Sequence, residues 1–190
     1  MLGPLACALA VLGSAAASTS APTKLERWAA FAKGKAAPGV NVLQTARGSC
    51  SGASRVDPRS DAWRCASQRQ TQDPCFSGAA SFVICPFGTP DSHDALELKL
   101  TRPLPAAKAN PPGDPTLRDP WAILTANGAY CYRATGQPTS IAGRTITYAC
   151  SGAALLAGHP NRSRPMWTID FLPTSTSSRY RAAAVTTAWW

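Results

Sequence analysis

Apolar residues along the chain fall into short runs between turn formers, a spacing that suits strands better than helices. In Trp167-Thr168-Ile169-Asp170-Phe171-Leu172 the large apolar side chains recur at every second position, so Trp167, Ile169 and Phe171 share one face and Asp170 falls on the wetter one. Met166 to Leu172 is therefore expected as a strand, with Pro165 and Pro173 as punctuation. Ala62 to Cys65, Ser81 to Cys85, Thr145 to Cys150 and Tyr180 to Trp190 read the same way, and Asp57-Pro58 and Asp73-Pro74 read as turns.

The strongest local cue is Asn127-Gly128, which separates two β-prone arms in Trp121 to Tyr132. Both residues tolerate positive φ, so the pair predicts a two-residue hairpin loop in a type I′ turn. That register sets Ala126 opposite Ala129, Thr125 opposite Tyr130 and Ile123 opposite Tyr132, with Trp121 on the tyrosine face.

The chain opens differently. Met1 to Ala17 carries no charged side chain, runs apolar from Leu5 to Leu12 and ends in small residues that fit an A-x-A cleavage site at Ala15 and Ala17. This is the pattern of a secretory signal peptide, although it lacks the usual Lys or Arg at its start. The apolar run is far short of the ~18–20 residues a membrane span needs, and no other stretch comes closer, so no transmembrane segment is expected. Residues 18–47 read as an N-terminal arm. Within it Thr23-Lys24-Leu25-Glu26 has the spacing of a capping box, and Leu25, Trp28, Ala29 and Ala32 fall on one helical face, predicting a short helix from about 24 to 34; a mobile arm is the alternative.

Prolines crowd residues 101–120 at positions 103, 105, 111, 112, 115 and 120, which suits a connector and no central strand. Two halves would each bury a smaller share of their surface than one body, so 48–190 is expected as a single β-rich domain. The fold class is mainly β, a small sandwich or barrel of short antiparallel strands stapled by disulfides.

Composition sharpens that picture. The chain is 45% hydrophobic and 15% charged, which excludes a disordered polymer. Of seven Cys, Cys7 lies in the leader, and an even set remains: Cys50, Cys65, Cys75, Cys85, Cys131 and Cys150. In an exported chain such a set is a disulfide framework. With no C-x-x-C and only His93 and His159, a zinc site lacks its ligands, and no cofactor is expected. Cys131 and Cys150 lie in what read as consecutive strands and are expected to pair, a bridge worth about 3 kcal/mol. The other four allow three pairings.

The formal net charge is +9, and fourteen of the nineteen basic residues are Arg. Arg162 with Arg164, and Arg179 with Arg181, lie near Trp189 and Trp190 in a chain rich in late aromatics, so these six are the candidate binding surface. Such a field concentrates anionic partners. Outside a cell those are wall polymers, acidic polysaccharide or anionic lipid before nucleic acid.

Gly48-Ser49-Cys50, Asp61-Ala62-Trp63-Arg64-Cys65, Asp73-Pro74-Cys75-Phe76 and Val83-Ile84-Cys85-Pro86, with the late Trp167 strand and Ala188-Trp189, form a set of motifs over residues 48–190. The set resembles a group of secreted, cysteine-containing proteins of actinobacterial type. The resemblance implies export and disulfides; it carries no activity and no catalytic residues with it.

Candidate chemistry is sparse. Gly48-Ser49-Cys50-Ser51-Gly52 has the G-x-C-x-G spacing of a nucleophile elbow, but Pro58 spoils the helix that must follow, and Cys50 is better read as a half-cystine. Asp91-Ser92-His93-Asp94 follows Pro90 and reads as a solvated turn, since triad members come from separated positions. His159, between Gly158 and Pro160, also reads as a turn residue. Asn161-Arg162-Ser163 fits a glycosylation acceptor. The expected function is that of a secreted, non-catalytic binding module at the cell surface or wall, recognising an anionic polymer or envelope partner. The alternatives are a small hydrolase using His93 or His159, and a protein inhibitor presenting a disulfide-bounded loop such as 66–74.

Overall fold

A computed structural model describes residues 21–67, 70–106 and 118–190. The expected signal segment, Cys7 and the middle of the Pro-rich stretch lie outside the described residues. The described chain is mainly β, and its strands close into two barrels.

Three short strands come first: β1 (Lys24–Glu26), β2 (Phe31–Ala32) and β3 (Lys35–Ala36), the last two forming a small hairpin. The first barrel follows as an uninterrupted meander of β4 (Asn41–Ala53), β5 (Ala62–Ser67), β6 (Gln70–Ser77), β7 (Phe82–Pro86) and β8 (Asp94–Leu100). Each neighbour in the meander is antiparallel. An odd number of alternating strands leaves the first and last pointing the same way, so the closing pair β4–β8 is parallel. Gly48 is the closure point, because it pairs with Ser67 of β5 on one edge and Leu100 of β8 on the other.

The second barrel is built from β9 (Ala122–Thr125), β10 (Tyr130–Arg133), β12 (Arg144–Cys150), β13 (Leu155–Asn161), β14 (Trp167–Leu172) and β15 (Arg181–Trp189), with β11 (Thr139–Ile141) attached to β12. Six strands are an even number, and β15 closes on β9 antiparallel. The first strand of the chain completes this barrel: β1 runs parallel to the end of β15, Lys24 opposite Thr187 and Glu26 opposite Trp189, continuing the edge that β14 occupies up to Val185.

Alternation along the strands sorts side chains into three buried groups. Trp63, Val83, Leu96 and Leu98 fill the first barrel with its four cysteines. Ile123, Tyr148, Leu156, Ile169, Phe171 and Val185 fill the second with Cys131. The third group lies between the barrels, where Ala62, Phe76, Ile84 and Ala95 on the outside of the first meet Trp121, Ala122 and Trp189 on the outside of the second, with Trp28 among them. This explains the continuous apolar run Phe82 to Cys85: Val83 and Cys85 face the barrel interior and Ile84 faces the neighbouring barrel, so both sides of the strand are buried.

The disulfides join residues that lie opposite one another on adjacent strands. Cys131 is bonded to Cys150, the pair expected from sequence, and the two are directly in register. Cys50 is bonded to Cys65 and Cys75 to Cys85.

Three expectations change. The single core expected over 48–190 is divided, because each half closes its own sheet around its own bridges and the Pro-rich stretch lies between them. Disulfides supply what a barrel of this size lacks in buried apolar surface. The short helix expected at 24–34 is extended chain. Trp28 and Ala30 are buried while Ala29 is exposed, a period of two, and the Thr23 hydroxyl donates to Val185 O at 2.7 Å and accepts from Trp167 N at 2.8 Å rather than capping a helix. The edge of β15 gives this segment ladder partners, which outweigh a weak helical pattern.

The hairpin at Asn127-Gly128 exists, but its register is one residue from the expected one: Tyr130 lies opposite Leu124, Cys131 opposite Ile123 and Tyr132 opposite Ala122. Only Gly128 has positive φ, and its N–H donates to Thr125 O at 2.9 Å. The loop is thus three residues, a turn followed by a left-handed glycine. Thr125 holds it, its hydroxyl 2.5 Å from Asn127 Oδ1 and its N–H bonded to Ala129 O. The shift turns Ile123 and Cys131 into the barrel and leaves Tyr130 and Tyr132 to face the other barrel.

Candidate functional site

The six residues of the candidate binding surface separate by burial. Trp189 is 1% exposed and Trp190 5% exposed, so neither can present a ring to a ligand. Alternation places Trp189 in the inter-barrel group, where Tyr130 packs on it and its Nε1–H donates to Glu26 Oε2 at 3.1 Å. Trp190 belongs to the second barrel's core, edge-on to Trp167 with centroids 5.9 Å apart. Both rings are expected outside from their place near basic residues; consecutive positions point to opposite sides, and each side meets a buried group.

The arginines stay out. Arg164, Arg179 and Arg181 are exposed and make no ion pair among the described residues. Arg181 lies over Phe171, 5.1 Å from the ring centroid. Arg162 is half-buried: its guanidinium stacks 4.5 Å over Trp167 and donates to Arg118 O at 2.6 Å. It therefore acts chiefly in holding the connector's end against the second barrel, where Tyr148 also donates to Pro120 O at 2.9 Å.

Of the two histidines, His93 follows the 3₁₀ turn Pro90–Ser92 in a left-handed conformation, φ 53°. The neighbouring Asp91 accepts from Tyr130. His159 is in a strand, not a turn, and its Nδ1 lies 2.6 Å from Asp119 Oδ2. Because a carboxylate only accepts, Nδ1–H is the donor in this contact and Nε2 takes no part in it. Arg133 at 3.6 Å and Arg162 at 3.9 Å flank the same carboxylate. This pairing was invisible in the sequence, since forty positions separate Asp119 from His159 and the aspartate precedes a proline. No hydroxyl or thiol among the hydrogen-bonded groups engages Nε2, and Cys50 is committed to its disulfide. Among the described residues no cluster of three or more His, Cys, Asp or Glu is placed to hold a metal. Nor, among them, is any helix long and apolar enough to cross a membrane.

The loop 66–74 weighed as an inhibitory segment is the β5–β6 hairpin, whose base is pinned on both sides by Cys50–Cys65 and Cys75–Cys85; its tip at 68–69 lies outside the described residues.

A cleft of about 290 Å³ opens between the barrels. The segment 54–58 forms one wall, and Arg118 and Arg133 the other. Asp57 in this wall has a fully buried carboxylate, paired with Arg59 at 3.2 Å. Burial pushes Asp57 up from the ordinary carboxylate value, against the opposing pull of Arg59, and burial likewise lowers Arg59. Asp73 behind the wall is raised by burial too, although the Ser54 hydroxyl donates to it at 2.5 Å.

No protein-family model, no curated protein and no solved structure matches the chain.

Proposed function

We propose that the protein is a secreted, non-catalytic binding module that works at the cell surface or wall and holds an anionic polymer or envelope partner through arginine. The observation that carries this reading is the excess of exposed guanidinium groups left without a carboxylate. The chain carries +9, and Arg164, Arg179 and Arg181 are exposed without a carboxylate partner among the described residues, while the tryptophans are drawn into cores. A guanidinium excess left in solvent serves attraction of anions, not the stability of the fold. Three disulfides support an oxidising compartment. The test is retention of the purified oxidised protein on isolated envelope material. Retention is expected at low salt and release at high salt; retention that ignores salt overturns the electrostatic reading.

The Asp119–His159 contact favours a second reading, a small hydrolase that uses His159 as base. Replacing His159 and His93 by Ala and finding a detected hydrolytic activity unchanged removes that reading.

A further inference from the structure

We propose that the cleft between the two barrels seats one phosphoryl group of the anionic polymer, gripped by Arg55, Arg118 and Arg133. The inference rests on the binding reading above and gives it a site and a ligand chemistry.

Three separate elements bring these arginines to the lining of one hollow: the segment after β4 supplies Arg55, the end of the connector Arg118, and the last residue of β10 Arg133. Among the described residues only one carboxylate lines the cleft with them, Asp57, and it is paired with Arg59. Arg55 and Arg118 have no ion-pair partner among the described residues. Arg133 is steadied by Asp119 at 3.6 Å, which orients it without using all its donors.

The walls are fixed before any ligand arrives. Ser54 Oγ accepts from the backbone N–H groups of Val56 and Asp57, at 3.1 and 2.9 Å, and locks the turn that carries Arg55. Arg118 is anchored through its carbonyl oxygen, which accepts from Arg162 and from Trp190 Nε1. A preformed pocket at the junction of two bodies is where ligand sites commonly fall.

Geometry selects the anion. A carboxylate is planar and offers two oxygens, which one or two guanidinium forks satisfy. Three forks on opposing walls suit a tetrahedral group with three or four acceptor oxygens, and the guanidinium fork matches phosphate oxygens in pairs. A volume of about 290 Å³ admits a phosphate with one small polyol or sugar attached and excludes a folded domain. Chains of phosphodiester-linked units fit this description, each phosphate being one candidate occupant and the exposed arginines guiding the rest of the chain.

The test is calorimetric titration of the full oxidised chain with glycerol 3-phosphate, inorganic phosphate and glucuronate at matched ionic strength. A poly(glycerol phosphate) and vesicles of phosphatidylglycerol are the two macromolecular arms. Saturable one-to-one binding of the two phosphates, and weaker binding of glucuronate, is expected. Arg55→Gln with Arg118→Gln weakens phosphate binding about tenfold or more, as charge-assisted hydrogen bonds of this kind imply. Arg164→Gln with Arg179→Gln and Arg181→Gln removes more charge yet leaves it within about threefold, since those groups act at a distance through screened solvent. Equal loss in both variants, glucuronate binding as tightly as phosphate, or binding of vesicles but not of the polymer overturns the proposal. Should the cleft variant not fold, protection of Arg55 and Arg118 from phenylglyoxal by glycerol 3-phosphate in the unaltered protein decides the same question; absence of protection overturns it. Salt-sensitive envelope retention that survives in the cleft variant rejects the cleft alone, whereas its absence in the unaltered protein rejects the wider reading.

Discussion

Tyr130, on the outer face of the second barrel, donates its phenolic hydrogen to the carboxylate of Asp91 in the turn between β7 and β8 of the first. Tyr132, two residues on, donates to the carbonyl oxygen of Gly88 in the same turn. The apolar contact between barrels thus ends in a polar clasp, with both tyrosine rings packed on tryptophans of the interface, Tyr130 on Trp189 and Tyr132 on Trp121. A one-residue change in the β9–β10 register would turn both tyrosines inward and remove the clasp.

The clasp depends on pH at both ends. The hydrogen bond to Asp91, followed by burial, pushes the Tyr130 phenol up to about 12. A folded value above the unfolded one means the contribution is complete below pH 10 and is lost as pH rises from 10 towards 12. At Asp91, burial raises the carboxyl, but hydrogen bonds from Tyr130 and Thr89 outweigh it and hold it below the usual carboxylate value. Its contribution is therefore present above about pH 4 and lost below. Urea unfolding of Tyr130→Phe against the unaltered protein should show a gap between pH 5 and 9 that closes towards pH 12, and absorbance titration of the variant should lose a tyrosinate component with a midpoint near pH 12. A gap of the same size at pH 8 and pH 12 contradicts the assignment.

Gly48 carries the closure of the first barrel. A Cβ on this residue would lie 2.1 Å from the carbonyl oxygen of Ala66 and 2.9 Å from Leu98 Cδ1. The oxygen belongs to the ladder partner strand and cannot move without breaking β4–β5 pairing. Gly48→Ala is expected to cost about 1–3 kcal/mol or more, as overpacking does, and to increase amide exchange in β4 and β8. Gly52, with nothing within 4 Å of its Cβ position, serves as the control: Gly52→Ala should leave exchange unchanged.

How much of this was legible beforehand depended on whether a strand announced itself by alternation. β5, β7, β12, β14 and β15 were located, because each carries large apolar or β-branched residues between turn formers. β4 was missed. Its first half is exposed on both faces, and its composition, rich in Gly, Ser and Ala, has no period to read. β13 was missed because Gly158 and Pro160 interrupt it. Division into two barrels was not legible either, since Phe76, Ile84 and Ala95 carry the same apolar signal whether they face an interior or a neighbour. The chemistry was less visible still. Asp119 and His159, and Arg55, Arg118 and Arg133, come together only through closure of the sheets, and no local spacing marks them.

Arg59 and Asp57 form the most deeply buried ion pair described. The Asp57 side chain is fully buried and that of Arg59 is 10% exposed, with the guanidinium 3.8 Å from the Phe76 ring centroid and Nη1 donating to Trp28 O at 3.0 Å. Arg59→Met is expected to cost about 3–5 kcal/mol, because it strands a carboxylate in the interface. Burial already raises Asp57, and loss of the guanidinium raises it further. A carboxyl with a raised folded value contributes stability below its unfolded value and loses it as pH rises through the folded one. The penalty of Arg59→Met in urea unfolding should therefore be large at pH 7 and shrink towards pH 4, and adding Asp57→Asn should recover part of it at pH 7. A penalty independent of pH shows that packing against Phe76, not charge, is what the arginine supplies.

Trp189 and Arg181, at opposite ends of β15, separate the structural from the binding role of this strand. Trp189→Ala removes a ring that Tyr130, Glu26 and the inter-barrel group surround, and is expected to cost about 3–5 kcal/mol in urea unfolding. Arg181→Gln changes an exposed side chain and should lie within about 0.5 kcal/mol of the unaltered protein. In envelope retention the order reverses. Below the unfolding transition Trp189→Ala should bind as the unaltered protein does, since no surface of the ring is offered, and Arg181→Gln combined with Arg164→Gln and Arg179→Gln should elute at lower salt. A folded Trp189→Ala protein that no longer binds would mean that the interface between the barrels, and not the charge outside them, sets recognition.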